Sequence, residues 1–255
     1  MYNFPIALQL YSVGMDVCND FYGTLKQVKE MGYDGVEFAY MCEKSAEEVK
    51  KMCDELGLIP ISAHIPYPDL AEKTDETLTY YKKLGCEYAV CPGVAEEYRA
   101  GNEKFPEFLE ALKMIGKKSN EYGMRFCYHN HDHEFKVVDG RYGLDIIFDE
   151  TGKELLWTEV DTCWVKAGGE DPIEYIRKYK GNAEIVHSKD MAGNKQDGTF
   201  QFRPVGYGIL DIKGLLDVSQ EVGAKWIVVE NEGKFLDKTA LDCAKMSIDF
   251  LKNLY

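Results

Sequence analysis

Residues 123–135 read GMRFCYHNHDHEF, a glycine and a short apolar run that turns abruptly polar. Gly123 reads as a helix stop, and the run up to Tyr128 is apolar enough for a buried strand. Three of the five histidines of the chain, His129, His131 and His133, fall in this stretch. On a strand over 126–131 side chains alternate, so His129 and His131 share a face. Two imidazoles side by side at a strand end suit a metal site or acid–base chemistry better than a core. A solvated His-rich loop is the alternative that this stretch alone leaves open.

The same punctuation recurs on both sides of it. Gly32, Gly57, Gly85 and Gly223 each close an amphipathic stretch and precede an apolar run of strand length. A helix ended by a left-handed glycine, then a short turn into a strand, gives this pattern. Phe21, Leu25, Val28 and Met31 carry the helical spacing in the first unit, and Leu241, Ala244, Ile248 and Leu251 carry it in the last. Asp171-Pro172 reads as an N-cap with proline at the first helical position. Strands are expected at 6–12, 35–39, 60–65, 87–92, 125–131, 156–164, 183–190 and 226–232. Strands alternating with helices predict a parallel sheet, and eight such units predict an α/β fold closed as a single (β/α)8 TIM barrel over residues 1–255. A doubly wound sheet is the other arrangement of such units, but no GxGxxG follows the first strand.

The totals fit that reading. Of the 255 residues 45% are hydrophobic and 29% charged, as in a soluble globular protein. No run has the apolar length of a membrane span, and no signal peptide is evident, so a cytoplasmic location is expected. The eight cysteines are scattered without CxxC spacing, which reads as reduced thiols, several of them buried fillers. A net charge of −14 argues against nucleic acid as a partner. A small-molecule sugar is the expected partner, with a homo-oligomer compatible.

In barrels of this kind the chemistry sits at the C-terminal ends of the strands, and polar residues gather there in this chain. Gln9 and Tyr11 end the first strand, Glu37 the second and His64 the third. His129 and His131 end the fifth, Glu159 and Asp161 the sixth, His187 and Lys189 the seventh, Glu230 and Glu232 the eighth. So many ionisable groups in register on buried-looking strands are costly without a purpose. Glu37 alone reads equally as a solvent-facing residue, His64 as a hydrogen-bonded core histidine, and Glu232 as a solvated position beyond the strand.

Taken together, LQLYSV (8–13), GYDGVEFA (32–39), ISAHIP (61–66), YHNHDHEF (128–135), EVDTCWVKAGGEDP (159–172), VHSKD (186–190), PVGYGILDIKGLL (204–216) and VVENE (228–232) make a specific set. Over essentially its whole length the chain resembles the sugar phosphate isomerase/epimerase-like proteins of the xylose-isomerase-like barrel superfamily, in their YHNH-type branch. The resemblance implies one divalent metal held by His129, Asp161, His187 and Glu230. It departs from many epimerases of the superfamily in having His129 where they carry a glutamate that both binds metal and moves a proton. A two-glutamate epimerisation does not survive that change, whereas a metal site does. Two imidazoles with two carboxylates suit Mn or Zn first, with Co, Fe or Mg compatible.

The expected activity is a metal-dependent isomerase or epimerase acting on a keto-sugar or polyol derivative through an enediolate. The alternative keeps the same site and expels a β-leaving group, making a dehydratase or lyase on a 3-keto-sugar or keto-glycoside. Glu230 is the base that the family suggests; His131 is a second candidate base, from its shared face with His129, and Lys189 a candidate acid. Gln9, Tyr11, Glu37, His64, Glu159, Trp164 and Arg203 are the candidate substrate-binding residues. Arg203, the one basic residue in FRPVGYG, reads either as a phosphate or carboxylate ligand or as a surface residue.

Overall fold

The computed structural model describes residues 2–254. Eight strands follow one another along the chain: β1 (Ile6–Gln9), β2 (Gly35–Phe38), β3 (Ile59–His64), β4 (Tyr88–Cys91), β5 (Arg125–His129), β6 (Trp157–Asp161), β7 (Ile185–Ser188) and β8 (Trp226–Val229). Each pairs in parallel with the next, and β8 pairs with β1, so the sheet closes into a barrel. Helices cover the outside, and the turns that return the chain follow the glycine pattern: Gly57 (φ 67°) and Gly223 (φ 82°) sit in the left-handed region, where a side chain would be strained. Every strand but β3 is shorter than its apolar run suggests; β3 has the expected length, one residue earlier. At the C-terminal rim the polar groups sit on the last residues of the strands, as with Gln9, Glu37, His64, His129, Asp161 and His187, or just beyond them, as with Tyr11, His131, Lys189, Glu230 and Glu232.

The inside of the barrel has two halves. Ala7, Ile61, Tyr88, Val90, Cys127, Ile185, Trp226 and Val228 form an apolar floor toward the N-terminal mouth. Arg125 closes that mouth, packed 4.9 Å from the Trp157 ring and paired with Glu87 and Glu184. Gly35 lies in the floor, where a Cβ would come within 2.6 Å of the Ile59 carbonyl oxygen and 3.2 Å of the Trp226 ring. The upper half is polar, and one irregularity shapes it. The register between β2 and β3 shifts, Val36 facing Pro60 but Glu37 facing Ser62, so Ile61 is an extra residue on β3. A bulge of this kind resets the alternation of the strand. Ile61 joins the floor, and Ser62 and His64 both reach the polar half.

The turn after β5 is equally constrained. Asn130 grips the β6 backbone, its Oδ1 accepting from Asp161 N at 3.0 Å. Glu134 is buried and accepts from the Tyr128 hydroxyl (2.6 Å) and the His131 backbone N–H (2.7 Å), with His133 Nε2 at 2.7 Å. His131 therefore faces the same way as His129, their rings 5.0 Å apart, through a turn and not through strand alternation.

Two outcomes follow from this architecture. Gly35→Ala overpacks the floor and lowers the free energy of unfolding by about 1–3 kcal/mol, read as a lower urea midpoint at unchanged m-value; an unchanged midpoint would show that the floor has slack. Glu134 concerns pH. Burial opposes its charge, but His133, His131 and the Tyr128 hydroxyl hold the carboxyl at about 2. Its pKa is thus depressed on folding, so its stabilisation is present above about pH 5 and lost as pH falls toward 2. Against Glu134→Gln, the wild type is more stable by roughly 2–3 kcal/mol at pH 7 and the gap closes in acid; a gap independent of pH would mean that the charge contributes nothing.

Candidate metal centre

At the C-terminal rim the polar half of the barrel is organised in two layers. The lower layer centres on Glu159 of β6. Its Oε2 lies 2.7 Å from His64 Nε2, 3.0 Å from His129 Nδ1 and 3.2 Å from His187 Nε2. Glu37 stands opposite. It accepts from Gln9 Nε2 (2.6 Å) and Ser62 Oγ (2.5 Å), and lies 2.8 Å from His187 Nε2. All these side chains are buried except His64, which is partly so. Burial opposes ionisation of Glu159, but His187 and His64 hold it well below the ordinary carboxylate range. Glu37 is raised, by burial and by the Glu159 charge.

This layer decides how the imidazoles above it point. With Nδ1–H of His129 donated to Glu159, the lone pair of Nε2 faces Asp161 Oδ2, 3.8 Å away. With Nε2–H of His187 donated to Glu37 and Glu159, its Nδ1 faces Glu230 Oε2 at 3.1 Å. The upper layer is therefore His129, Asp161, His187 and Glu230, brought together from β5, β6 and β7 and from the residue just past β8, with ligand atoms within 4.8 Å of one another. A second grouping, His64, His129, Glu159 and His187, is also compact. Its separations are those of hydrogen bonds already made, so protons fill the space that an ion would need.

The upper four fit a divalent cation. Asp161 is fully buried and Oδ1 caps the following helix through Trp164 N (2.8 Å), but Oδ2 has no hydrogen-bond partner. Burial raises the Asp161 carboxyl to about 7 despite Lys189 nearby, as expected of a buried carboxylate short of positive charge. Burial pushes His129 well below its ordinary range, leaving it a neutral ligand. Burial opposes the charge on His187, but Glu159 and Glu37 hold its imidazole well above that range, so a cation at Nδ1 would replace a proton.

Above the four lies a cavity of about 400 Å³, walled by Tyr11, Tyr40, Trp164 and His131 and reaching Glu230 and Glu232. Tyr11 is not on a strand; the chain leaves β1 at Gln9 and enters a 3-10 turn, which puts Tyr11 at the rim, stacked on Tyr40. Lys189 is buried, 3.3 Å from Glu230 Oε2 and bonded to Glu232, with its ammonium 5.0 Å over the Trp164 ring. Burial works against that charge, but Glu230, Asp161 and Glu232 hold the ammonium far above its usual range. Burial lowers His131 to about 4, so its imidazole is neutral, and Nδ1 is buried without a partner.

Arg203 stands apart from these. It lies on a short strand (Gln201–Arg203) antiparallel to Asp190–Ala192, with its guanidinium 5.4 Å from the Phe235 ring, and it does not line the cavity. Sequence reasoning passed over Tyr40 and Ser62 and took Glu232 for a solvated residue. Nothing in the spacing signals Tyr40; Ser62 is hidden by the bulge, and Glu232 acquires its place only through Lys189.

Comparison with known proteins agrees with the architecture. The chain resembles the inosose dehydratase of Clostridium perfringens (strain 13 / Type A), 23% identical over 197 residues, 69% of this chain and 66% of that protein. It thus spans just under two thirds of that relative's length; for the inosose dehydratase of Clostridium beijerinckii the match is 22% over 84% of this chain and 83% of the relative. A sugar phosphate isomerase/epimerase from Parabacteroides distasonis ATCC 8503 superposes with a TM-score of 0.84 at 22% identity, covering 99% of this chain and 94% of that one. A zinc-bound protein called IOLI superposes at 0.77 and 15% identity, with 98% of each chain covered. The sequence profile of one family matches residues 25–254, nearly the whole barrel. The chain belongs to the xylose isomerase-like TIM barrel family.

Proposed function

We propose that the protein is a divalent-metal-dependent enzyme that removes a proton beside the carbonyl of a keto-sugar or keto-polyol and then expels a β-substituent, as a dehydratase or lyase. The observation that carries this reading is the composition of the site: an ammonium, Lys189, sits 3.3 Å from Glu230, and the fifth strand offers His129 where a second carboxylate base would stand. The dehydratase names of the relatives support it.

His129 Nε2, Asp161, His187 Nδ1 and Glu230 would hold the ion, Mn or Zn by donor type. When bound, such an ion supplies Lewis acidity that orients adjacent substrate oxygens and stabilises the negative charge developing on them. The chain's own residues do the rest. His131, neutral and at the cavity wall, accepts the proton from carbon, with Glu230 as the second candidate base. Lys189 donates toward the departing oxygen, and Glu232 keeps the ammonium in place. Trp164, between His131 (5.3 Å) and Lys189 (5.0 Å), presents a flat face to the apolar side of a sugar ring. Tyr11 and Tyr40 close the opposite rim.

A second reading keeps the same proton abstraction and returns the proton to carbon, giving an isomerase or epimerase; the buried polar groups on more than one wall of the cavity favour it. The two differ in product. Incubated with an inosose and with a 3-keto-glycoside in deuterated water, the metal-loaded protein is expected to release water or aglycone and form an unsaturated ketone that absorbs in the ultraviolet. Deuterium incorporation with no leaving group released would establish the isomerase reading instead.

Ligation is tested separately by elemental analysis and metal titration. The wild type should carry about one equivalent per chain, Asp161→Ala should carry none, and Glu159→Gln should keep the stoichiometry with affinity about 10–100-fold weaker. The opposite ranking, with Glu159→Gln empty and Asp161→Ala loaded, would move the ion to the lower layer. His131→Asn is expected to lower kcat by roughly 10²–10⁴-fold at unchanged metal content; a change in KM alone would remove it from proton transfer.

A further inference from the structure

Among the eight cysteines, Cys53, Cys86, Cys91, Cys127, Cys163 and Cys243 are buried, whereas Cys18 is exposed and Cys42 half-buried. Those two, far apart in sequence, meet at the rim of the barrel. Their sulfurs lie 2.9 Å apart, inside van der Waals contact and less than an ångström beyond a disulfide bond of about 2.05 Å. Cys18 belongs to the short helix Gly14–Asn19 after β1, and Cys42 to the turn after β2.

The turn is held in an unusual shape to make this contact. Lys44 N donates to Met41 O at 3.0 Å, and the two residues between, Cys42 (φ 47°) and Glu43 (φ 60°), both lie in the left-handed region that glycine and asparagine normally fill. It is anchored from outside: the Tyr80 hydroxyl donates to Lys44 O (2.6 Å), and Ser45 caps the next helix. The ring of Tyr40, two residues before Cys42, leans over Gly14, where a Cβ would lie 2.6 Å from it, and stacks on Tyr11. Cys18 lines a second cavity of about 460 Å³ that shares Tyr11, Tyr40 and Glu232 with the one above the metal ligands.

We propose that Cys18 and Cys42 are a redox modification site: a dithiol that a hydroperoxide converts to a disulfide, fastening the Tyr40-bearing turn to the helix of Cys18 at the mouth of the cleft. The accessible Cys18 sulfur attacks the peroxide, the O–O bond breaks, and Cys18 sulfenic acid forms with release of the alcohol or water. The Cys42 sulfur then attacks the sulfenic sulfur, the S–O bond breaks, the S–S bond forms and water leaves with the second thiol proton. The sulfur pair gives up two electrons and the peroxide bond takes them. Burial and the neighbouring Cys18 raise the Cys42 thiol to about 11, which keeps it protonated and leaves the first attack to the exposed Cys18; contact at 2.9 Å places Cys42 for the second step.

The test uses the intact protein treated with a small excess of hydrogen peroxide, quenched, alkylated under native conditions and mapped by mass spectrometry. One Cys18–Cys42 cross-linked peptide pair is expected, 2 Da lighter than the two thiols, together with loss of both from alkylation and full recovery with dithiothreitol. Hydrogen exchange of residues 40–45 should slow at least several-fold in the oxidised protein. Cys18→Ser should show neither change, and Cys42→Ser should stop at Cys18 sulfenic acid, trapped by dimedone. Cys18 passing to sulfinic acid in the wild type, or forming disulfides between chains, would overturn the pairing. Exchange at 40–45 that does not change on cross-linking would overturn the fastening of the turn.

Discussion

Everything above the floor of the barrel depends on one carboxylate oxygen, Oε2 of Glu159, which faces ring nitrogens of His64, His129 and His187 within 3.2 Å. In a dry interior a carboxylate with a single partner would be costly, but three imidazoles crowd Oε2 and offset that cost, while Oε1 is buried without a hydrogen-bond partner. The benefit appears one layer up. Each imidazole that commits one nitrogen downward has its other nitrogen fixed in position, so Nε2 of His129 points at Asp161 and Nδ1 of His187 at Glu230. The arrangement of the four candidate ligands is thus set by hydrogen bonds below them, and the acidic pair Glu37 and Glu159 is tolerable because His64 and His187 stand between them.

That dependence explains what the sequence could and could not show. The barrel was legible because helix stops and apolar runs are local: Gly57 and Gly223 take the left-handed shape that their positions imply, and Asp171 caps the helix that begins at Pro172. The rim residues were legible because strand ends in a barrel converge whatever the loops do. His129, Asp161, His187 and Glu230 do converge, as the family resemblance implied. What stayed hidden is what depends on register or on tertiary partners. The extra residue at Ile61 shifts the phase of β3, and its one local mark in IPISAH is Pro60, a residue that an inner strand tolerates at a bulge. His131 shares a face with His129, but because Glu134 and Asn130 hold a turn in place. Arg203, the lone cation among glycines, reads either as a ligand for an anion or as a surface residue, and pairing of its strand with Asp190–Ala192 puts it over Phe235, away from the cavity.

The cysteines teach the same lesson from the other side. Their spacing excludes a CxxC motif and gives no hint of a pair, and six of the eight are indeed buried. Contact between Cys18 and Cys42 arises because β1 and β2 are neighbours in the barrel, so the segments leaving their C-terminal ends meet over the same patch of rim. A closed parallel barrel makes such meetings systematic: each loop on this face has the loops of its two neighbouring strands beside it. Chemistry between adjacent loops is invisible in a linear pattern until the strand order is known.

Charge balance at His129, on the fifth strand, bears on the proposed reaction. Asp161 and Glu230 together carry two negative charges, which a divalent ion cancels, while neutral His129 and His187 add none. A glutamate in place of His129 would leave that cluster with an excess negative charge and would weaken its pull on substrate oxygens. With the imidazole, a divalent ion and the four candidate ligands would together be neutral, and the nearby Lys189 charge is balanced by Glu232. The ammonium is buried behind the cavity wall, between Glu230 and Glu232. Reprotonation of a carbon from the opposite face needs a second base there, whereas departure of an oxygen needs an acid beside it. On β5 this chain carries an imidazole, and the Lys189 ammonium stands 3.3 Å from Glu230 Oε2; those two groups are what the proposed elimination rests on.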